Sequence, residues 1–108
     1  VKGAHVVLAG VSYKPNVSDQ RETPARPLAS HLQAMGARVS YVDSMVDTFE
    51  VGGVELDRIS TLSEAIQVAD ILVLLQAHDE FIESTTLDSA LYILDTSGRL
   101  AGPNVERL

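Results

Sequence analysis

The stretch HVVLAGV, residues 5–11, decides the fold class of this chain. It is a nearly unbroken apolar run of strand length, without the polar residue at every second position that a half-exposed strand carries. This pattern is typical of a strand that is buried on both faces of a parallel sheet. We therefore predict the first strand of such a sheet at residues 5–11.

A helix is predicted between Thr23 and Gly36, where apolar residues recur at helical spacing. These residues are Leu28, Leu32 and Met35, with Ala25 and Ala29 supporting the same face. Gly36 suits the C-terminal cap, and Thr23 followed by Pro24 suits the N-terminal cap and first turn. Because Pro27 would cost a hydrogen bond in a helix that began at Pro24, the start is predicted to within about one turn.

Strand and helix patterns continue to alternate along the rest of the chain. We predict a strand at 37–43, a small hairpin or irregular excursion at 49–59 around Gly52 and Gly53, a helix at 61–69, a buried strand at 70–77, a short helical stretch from 79 to 90 and a last strand at 91–95. Thr61 or Ser60 caps the helix at 61–69, and Glu64 stands at capping-box spacing from Thr61.

This order of elements predicts an α/β fold, a Rossmann-like three-layer sandwich with a mostly parallel sheet. Ligands of such sheets bind beyond the carboxyl ends of the strands. The loops expected there are residues 11–23, 43–48, 76–80 and 95–99.

Composition indicates one domain and excludes several classes of partner. The 108 residues, 45% of them apolar, can build one core, so residues 1–108 are interpreted as a single domain; a strand pattern this close to Val1 suggests a piece of a longer protein. The net charge of −7 opposes binding to nucleic acid or an anionic membrane. The apolar runs fall far short of the roughly 20 residues that span a bilayer. We predict neither a nucleic-acid nor a membrane partner.

The chain has no cysteine, which excludes disulfides, thiolate metal sites and a cysteine nucleophile from this segment. His5 and His31 have no acids or partner histidines at ligand spacing, so neither is assigned to a metal.

Three polar residues stand at predicted strand ends. His78 could act as a general base or contact a ligand, but the interpretation we favour is structural: His78 orients a turn, Asp79 caps the next helix and Phe81 packs beneath it. Asp43 occupies the place where a dinucleotide-binding fold has an acid on the ribose, although the glycine pattern of that fold is missing. Asp95 can cap or brace a turn, or meet a ligand.

The loop after the first strand, within GVSYKPNVSDQRETPA at residues 10–25, concentrates positive charge in an acidic chain. It lacks the G-x-G-x-x-G turn of a dinucleotide site and has only Gly10. The Lys14 ammonium and the Arg21 guanidinium suit phosphates or a carboxylate, with Tyr13 available to stack or hydrogen-bond. Alternatively, Arg21 pairs with Asp19 to brace the loop and Lys14 is merely solvated.

These residues resemble a known family. LAGVSYKPNVSDQRETPA is similar to LGxxYKPNxxDxRESPA, the signature that opens the C-terminal, UDP-binding domain of the UDP-glucose/GDP-mannose dehydrogenase family. GARVSYVD and ADILVLLQAHDEF resemble the later family segments GAxVxxYDP and ADxxVxxTxHxEF. The chain departs from the pattern at Ala9, Thr23, Ser44 and the pair Gln76-Ala77, and LDTSGRL matches the D-x-R-N segment only with a change of spacing.

The resemblance implies a function and a set of site residues. Lys14 would contact the diphosphate or sugar of a UDP-sugar, Tyr13 would line the same pocket, and Arg99 would reach the nucleotide. Asp19 and Arg21 would support the loop or bind substrate.

The resemblance also implies a larger enzyme. Enzymes of this family oxidise the sugar C6 alcohol to a carboxylate in two hydride transfers, with NAD held by an N-terminal domain and the catalytic cysteine by a central region. The domain alone would be inactive and bind no NAD; the full-length enzyme would be a cytoplasmic homo-oligomer serving polysaccharide biosynthesis.

Two other functions remain open. The first is a non-catalytic Rossmann-like module for oligomerisation or regulation, which has the same fold but binds no nucleotide sugar. The second is a domain that binds NAD or another nucleotide directly, against which the missing glycine pattern counts.

Overall fold

The computed structural model describes residues 3–12, 23–76, 78–82, 92–96 and 104–107. In chain order its elements are β1 (His5–Ala9), α1 (Ala25–Ala34), β2 (Arg38–Val42), β3 (Glu50–Val51), β4 (Val54–Glu55), β5 (Asp57–Arg58), α2 (Leu62–Val68), β6 (Ile71–Leu74), α3 (Asp79–Ile82), β7 (Ile93–Asp95) and β8 (Val105–Arg107).

Six strands form one sheet in the order β5-β2-β1-β6-β7-β8, and every neighbouring pair is parallel. Numbered by their sequence within this sheet, the strands run 3-2-1-4-5-6, which is the order of a Rossmann fold. The chain builds outward from β1 on one side, then returns to build outward from β6 on the other. The prediction of a Rossmann-like sandwich is confirmed, with its topological switch point between β1 and β6.

The two faces of the sheet carry separate hydrophobic clusters, as the apolar run of β1 requires. Val6 and Leu8 point into the cluster that includes residues of α1 and of the β3-β4 region, whereas Val7 and Ala9 point into the cluster that includes residues of α2 and α3. All four side chains are buried. Burial on both faces therefore explains why β1 shows no polar alternation.

Helix α1 begins at Ala25, and Pro24 rather than Thr23 is its N-terminal cap residue. Pro27 is then the third helical residue, where a backbone N–H has no partner within the helix, so its missing donor costs nothing. At the other end, Gly36 at φ +89° donates to Gln33 O and Ala37 donates to Leu32 O, which together form a Schellman cap. The predicted C-terminal cap is confirmed.

Met35 is an exception to the predicted apolar face of α1. Its side chain is 47% exposed, because Met35 is the cap residue and no longer continues the helical repeat.

The segment 49–59 is both a hairpin and part of the main sheet. Strands β3 and β4 pair antiparallel around Gly52 and Gly53, as one of the two predicted forms. The two residues of β5, however, pair parallel to β2 at the edge of the sheet, which was not predicted. A strand of this length carries no hydrophobic period that a sequence pattern could reveal.

Helix α2 has the predicted cap at Thr61, whose Oγ1 accepts from the Glu64 backbone N–H at 3.1 Å. Along the described parts of the chain, the helices are too short or too polar to cross a membrane.

Candidate functional site

The five side chains proposed from the sequence lie outside the described residues. These are Tyr13, Lys14, Asp19, Arg21 and Arg99. Their roles therefore stay predictions, but the structure describes the strand ends and helix start to which their loops are attached.

The loop 13–22 leaves and re-enters the described structure at one point beside the carboxyl end of β1. The Thr23 Oγ1 donates a hydrogen bond to the Ser12 backbone carbonyl at 3.2 Å and accepts one from the Ala25 backbone N–H at 3.2 Å. Ser12 and Thr23 are both buried. Thr23 thus joins Ser12 to the start of α1, and its hydroxyl satisfies the first N–H of the helix although Pro24 is the cap residue.

Asp43, directly after β2, accepts three hydrogen bonds that link separate segments at this edge of the sheet. Its Oδ1 accepts from the Met45 backbone N–H at 2.9 Å, and its Oδ2 accepts from the Val11 backbone N–H at 3.0 Å and from His78 Nε2 at 2.9 Å. The side chain is 1% exposed. Because the side chain is buried and both of its oxygens accept from protein donors, this geometry gives no support to a contact with a ribose.

His78, which follows β6, is fully buried between Asp43 and Phe81. A carboxylate can only accept, so the contact with Asp43 places a proton on His78 Nε2. The same nitrogen lies 3.5 Å from Ser12 Oγ, and the rings of His78 and Phe81 are 5.4 Å apart. This geometry and the burial of Phe81 support the structural interpretation of His78, but Asp79 is the first residue of α3 and not, as predicted, its cap. The contact of His78 with Asp43 was not foreseen from the sequence.

The pKa of Asp43 is lowered although burial by itself would raise it. Hydrogen bonds from His78, Met45 and Val11 stabilise the ionised carboxylate and outweigh the loss of solvation. The network therefore contains a charged carboxylate at neutral pH.

The lowered pKa predicts a loss of stability in acid. The pKa of Asp43 is lower in the folded chain than in the unfolded chain, where the reference value is 3.8. The ionised carboxylate therefore stabilises the fold above pH 3.8, and this stabilisation is lost as the pH falls through the folded pKa. The free-energy difference between wild type and Asp43→Asn, measured by urea unfolding from pH 6 to pH 2, should shrink below about pH 4. A difference that stays constant across this range would contradict the assignment.

Gly10 directly follows β1 at the switch point and lies against Gln76, which follows β6. It has φ +84°, and a Cβ atom here would lie 2.8 Å from both Cβ and the carbonyl oxygen of Gln76. The Gly10 N–H also donates to the Val42 carbonyl at 3.1 Å. Only glycine fits this position without displacing backbone.

A second link joins the end of β2 to α3. The Ser44 hydroxyl and backbone N–H both donate to the carboxylate of Glu80. Arg58 of β5 donates to the Asp43 backbone carbonyl at 3.2 Å. The carboxyl edge is thus cross-linked from β5 through β2 to α3 by polar side chains.

The strand order and the polar carboxyl edge together define a Rossmann-like α/β domain. The model of the UDP-glucose/GDP-mannose dehydrogenase family, UDP binding domain, matches residues 7–101. The chain belongs to this family.

Curated relatives agree with that assignment. UDP-N-acetyl-D-mannosamine dehydrogenase of Methanocaldococcus jannaschii is 38% identical over 76 residues, which cover 70% of this chain and 16% of that protein. UDP-glucose 6-dehydrogenase of Bacillus subtilis is 31% identical over 77 residues, covering 69% of this chain and 18% of that protein. The chain thus spans less than a fifth of the length of these two relatives.

A solved structure shows the same fold. NDP-N-acetyl-D-galactosaminuronic acid dehydrogenase from Methanosarcina mazei matches with a TM-score of 0.78 at 21% identity, covering 99% of this chain and 24% of that one.

Proposed function

We propose that this chain is the UDP-sugar-binding domain of an NAD-dependent nucleotide-sugar 6-dehydrogenase. Residues 1–108 form one domain that holds the nucleotide end of the substrate, while other domains of the same protein hold NAD and supply the catalytic cysteine. The observation that carries the proposal is the family match over residues 7–101, which includes the whole loop between β1 and α1.

The position of that loop supports the proposal. Its ends, Ser12 and Thr23, are joined at the carboxyl edge of the sheet, next to the switch point where ligands of such folds bind. In a chain of net charge −7, an anionic diphosphate requires a local cation, and the loop contains Lys14 and Arg21.

Each proposed residue has a role. Lys14 contacts the diphosphate or sugar as a point charge, and Tyr13 lines the same pocket. Arg99 stands four residues after the end of β7. Thr96, the residue directly after β7, donates through Oγ1 to the Leu74 carbonyl at the end of β6, at 2.8 Å. The segment that leads to Arg99 therefore starts at the carboxyl edge of the sheet. Asp19 and Arg21 support the loop or bind substrate.

NAD does not suit this domain. Gly10 is the only glycine in the turn after β1. Asp43, which stands where a dinucleotide fold places its ribose acid, has both oxygens occupied by Val11, Met45 and His78. We therefore place the NAD site in another domain of the same protein.

The chemistry divides accordingly. The complete enzyme oxidises the C6 alcohol of the sugar to a carboxylate, and NAD accepts the two hydrides. Since this chain has no cysteine, it forms no covalent adduct by that route and is inactive alone. Its part is to bind and orient the nucleotide. The sugar is glucose or an N-acetylhexosamine, the two classes in the names of the relatives; the full-length enzyme is a cytoplasmic homo-oligomer.

Lys14→Ala in the full-length enzyme is expected to raise KM for the UDP-sugar by about tenfold to a hundredfold, because a charge-assisted hydrogen bond to a phosphate contributes about 1.5 to 3 kcal/mol. KM for NAD should be unchanged, since NAD is held elsewhere. Initial rates of NADH formation at varied substrate concentration measure both constants.

Arg38→Ala is the matched control. Arg38 is an exposed cation at the first residue of β2, on the amino edge of the sheet opposite the proposed site. Its loss should leave KM within about twofold of wild type, as for surface substitutions away from a site. Equal KM values for Lys14→Ala and wild type would refute the role of Lys14 in binding the substrate, whereas a full-length protein that forms no NADH with UDP-sugars would favour the non-catalytic module.

A further inference from the structure

We propose that Asp43 and His78 are positioning residues for the nucleotide sugar, acting through Val11 and Ser12 on the start of the binding loop. Neither touches substrate. The inference rests on the proposed function of the loop that begins at Tyr13.

The first step is that three strand ends meet in one polar network. Ser12 follows β1, Asp43 follows β2 and His78 follows β6, and β1 is paired with both other strands. His78 Nε2 lies 2.9 Å from Asp43 Oδ2 and 3.5 Å from Ser12 Oγ. The end of β1 is therefore bonded to Asp43 on the β2 side through the Val11 N–H, at 3.0 Å, and lies against the His78 ring on the β6 side.

The second step is that the network is buried and its polar side-chain atoms have hydrogen-bond partners. Ser12, Asp43 and His78 are 0 to 1% exposed, so water does not substitute for a broken hydrogen bond. Among the described residues, every buried side-chain nitrogen or oxygen has a hydrogen-bond partner. A shift of Val11 would leave the Asp43 carboxylate short of a donor, which penalises displacement of the strand end.

The third step connects this rigidity to binding. Val11 and Ser12 directly precede Tyr13 and Lys14. A binding group functions within about 0.5 Å of its productive position, and a displacement of about 1 Å can cost a hundredfold. Residues that fix the strand end thereby set how well the loop meets the diphosphate.

The experiment compares His78→Met with His78→Gln in the full-length enzyme. Met fills a similar volume but donates no hydrogen bond, whereas the terminal amide of Gln can reach the place of Nε2 and donate to Asp43. We expect Met to raise KM for the UDP-sugar by about tenfold, with kcat and KM for NAD little changed. Gln should restore KM to within about threefold of wild type.

Ile93→Ala controls for general loss of stability. Ile93 is a fully buried residue at the start of β7 and is not part of the network. Its truncation should destabilise the domain without the rise in KM. If Ile93→Ala and both His78 variants raise KM equally, or if none does, the positioning role is refuted.

Two further comparisons complete the test. Should His78→Met fail to fold, His78→Asn serves instead, because its shorter amide does not reach the place of Nε2; a KM for Asn equal to that for Gln would overturn the inference. If Lys14→Ala raises KM while His78→Met does not, the positioning role fails and the proposed function stands. If Lys14→Ala has no effect, the role of Lys14 fails, and a full-length protein without dehydrogenase activity on UDP-sugars would refute the proposed function itself.

Discussion

Asp43→Asn is expected to lower the free energy of unfolding by about 1.5 to 3 kcal/mol, the range for losing hydrogen bonds to a buried charged group. Asn is nearly the same size as Asp, but it cannot accept at both positions. Oδ1 of Asp43 accepts from Met45, and Oδ2 accepts from Val11 and His78. Whichever way the amide is turned, its NH₂ group faces a backbone N–H, and a buried donor is left without an acceptor.

Asp47→Asn is the control for this measurement. Asp47 is an exposed aspartate of the same loop. Its substitution should change stability by no more than about 0.5 kcal/mol. Urea unfolding followed by circular dichroism at pH 7 gives both values. A loss below about 1 kcal/mol for Asp43→Asn would mean that the carboxylate does not accept these three hydrogen bonds.

Gly10→Ala is expected to destabilise the domain by about 2 to 5 kcal/mol. The left-handed backbone conformation at φ +84° costs a side chain about 1 to 2 kcal/mol. The new Cβ would also lie 2.8 Å from the backbone oxygen of Gln76, and overpacking of this kind adds about 1 to 3 kcal/mol. Because the obstructing atoms include backbone, β1 and β6 must move apart to relieve the contact.

Gly53→Ala separates the two contributions. Gly53 has φ +80°, but a Cβ atom there meets nothing within 4 Å. Its substitution should cost only the conformational part, about 1 to 2 kcal/mol. Denaturation midpoints of the two variants provide the comparison. Equal losses at Gly10 and Gly53 would show that the close approach to Gln76 is absent.

The elements that carry strong local patterns were predictable. The apolar run of β1, the Schellman glycine after α1 and the Thr61 cap of α2 each depend on residues only a few positions apart. Since these signals are local, they survive without knowledge of the rest of the fold. The switch from strand to helix and back also predicted the parallel sheet.

The edge strands β5 and β8 were not predicted, because no local signal marks them. β5 has two residues and β8 has three, and neither belongs to an apolar run such as the one that revealed the three-residue β7. Each exists because a strand already in the sheet, β2 or β7, offers unpaired backbone groups along its edge. These unpaired backbone groups can be identified only when the order of the strands in the sheet is known.

The candidate site also has a part that a local motif predicts and a part that depends on the assembled sheet. The Rossmann-like class and the family were predictable from the sequence, because the motif that carries them is a run of neighbouring residues. The burial of Asp43 among donors from Val11, Met45 and His78 follows from the tertiary structure. Asp43 and His78 are 35 residues apart and meet because β2 and β6 both pair with β1. Strand order determines which polar side chains face each other. Because strand order depends on long-range packing and not on local pattern, this contact could not be predicted from the sequence.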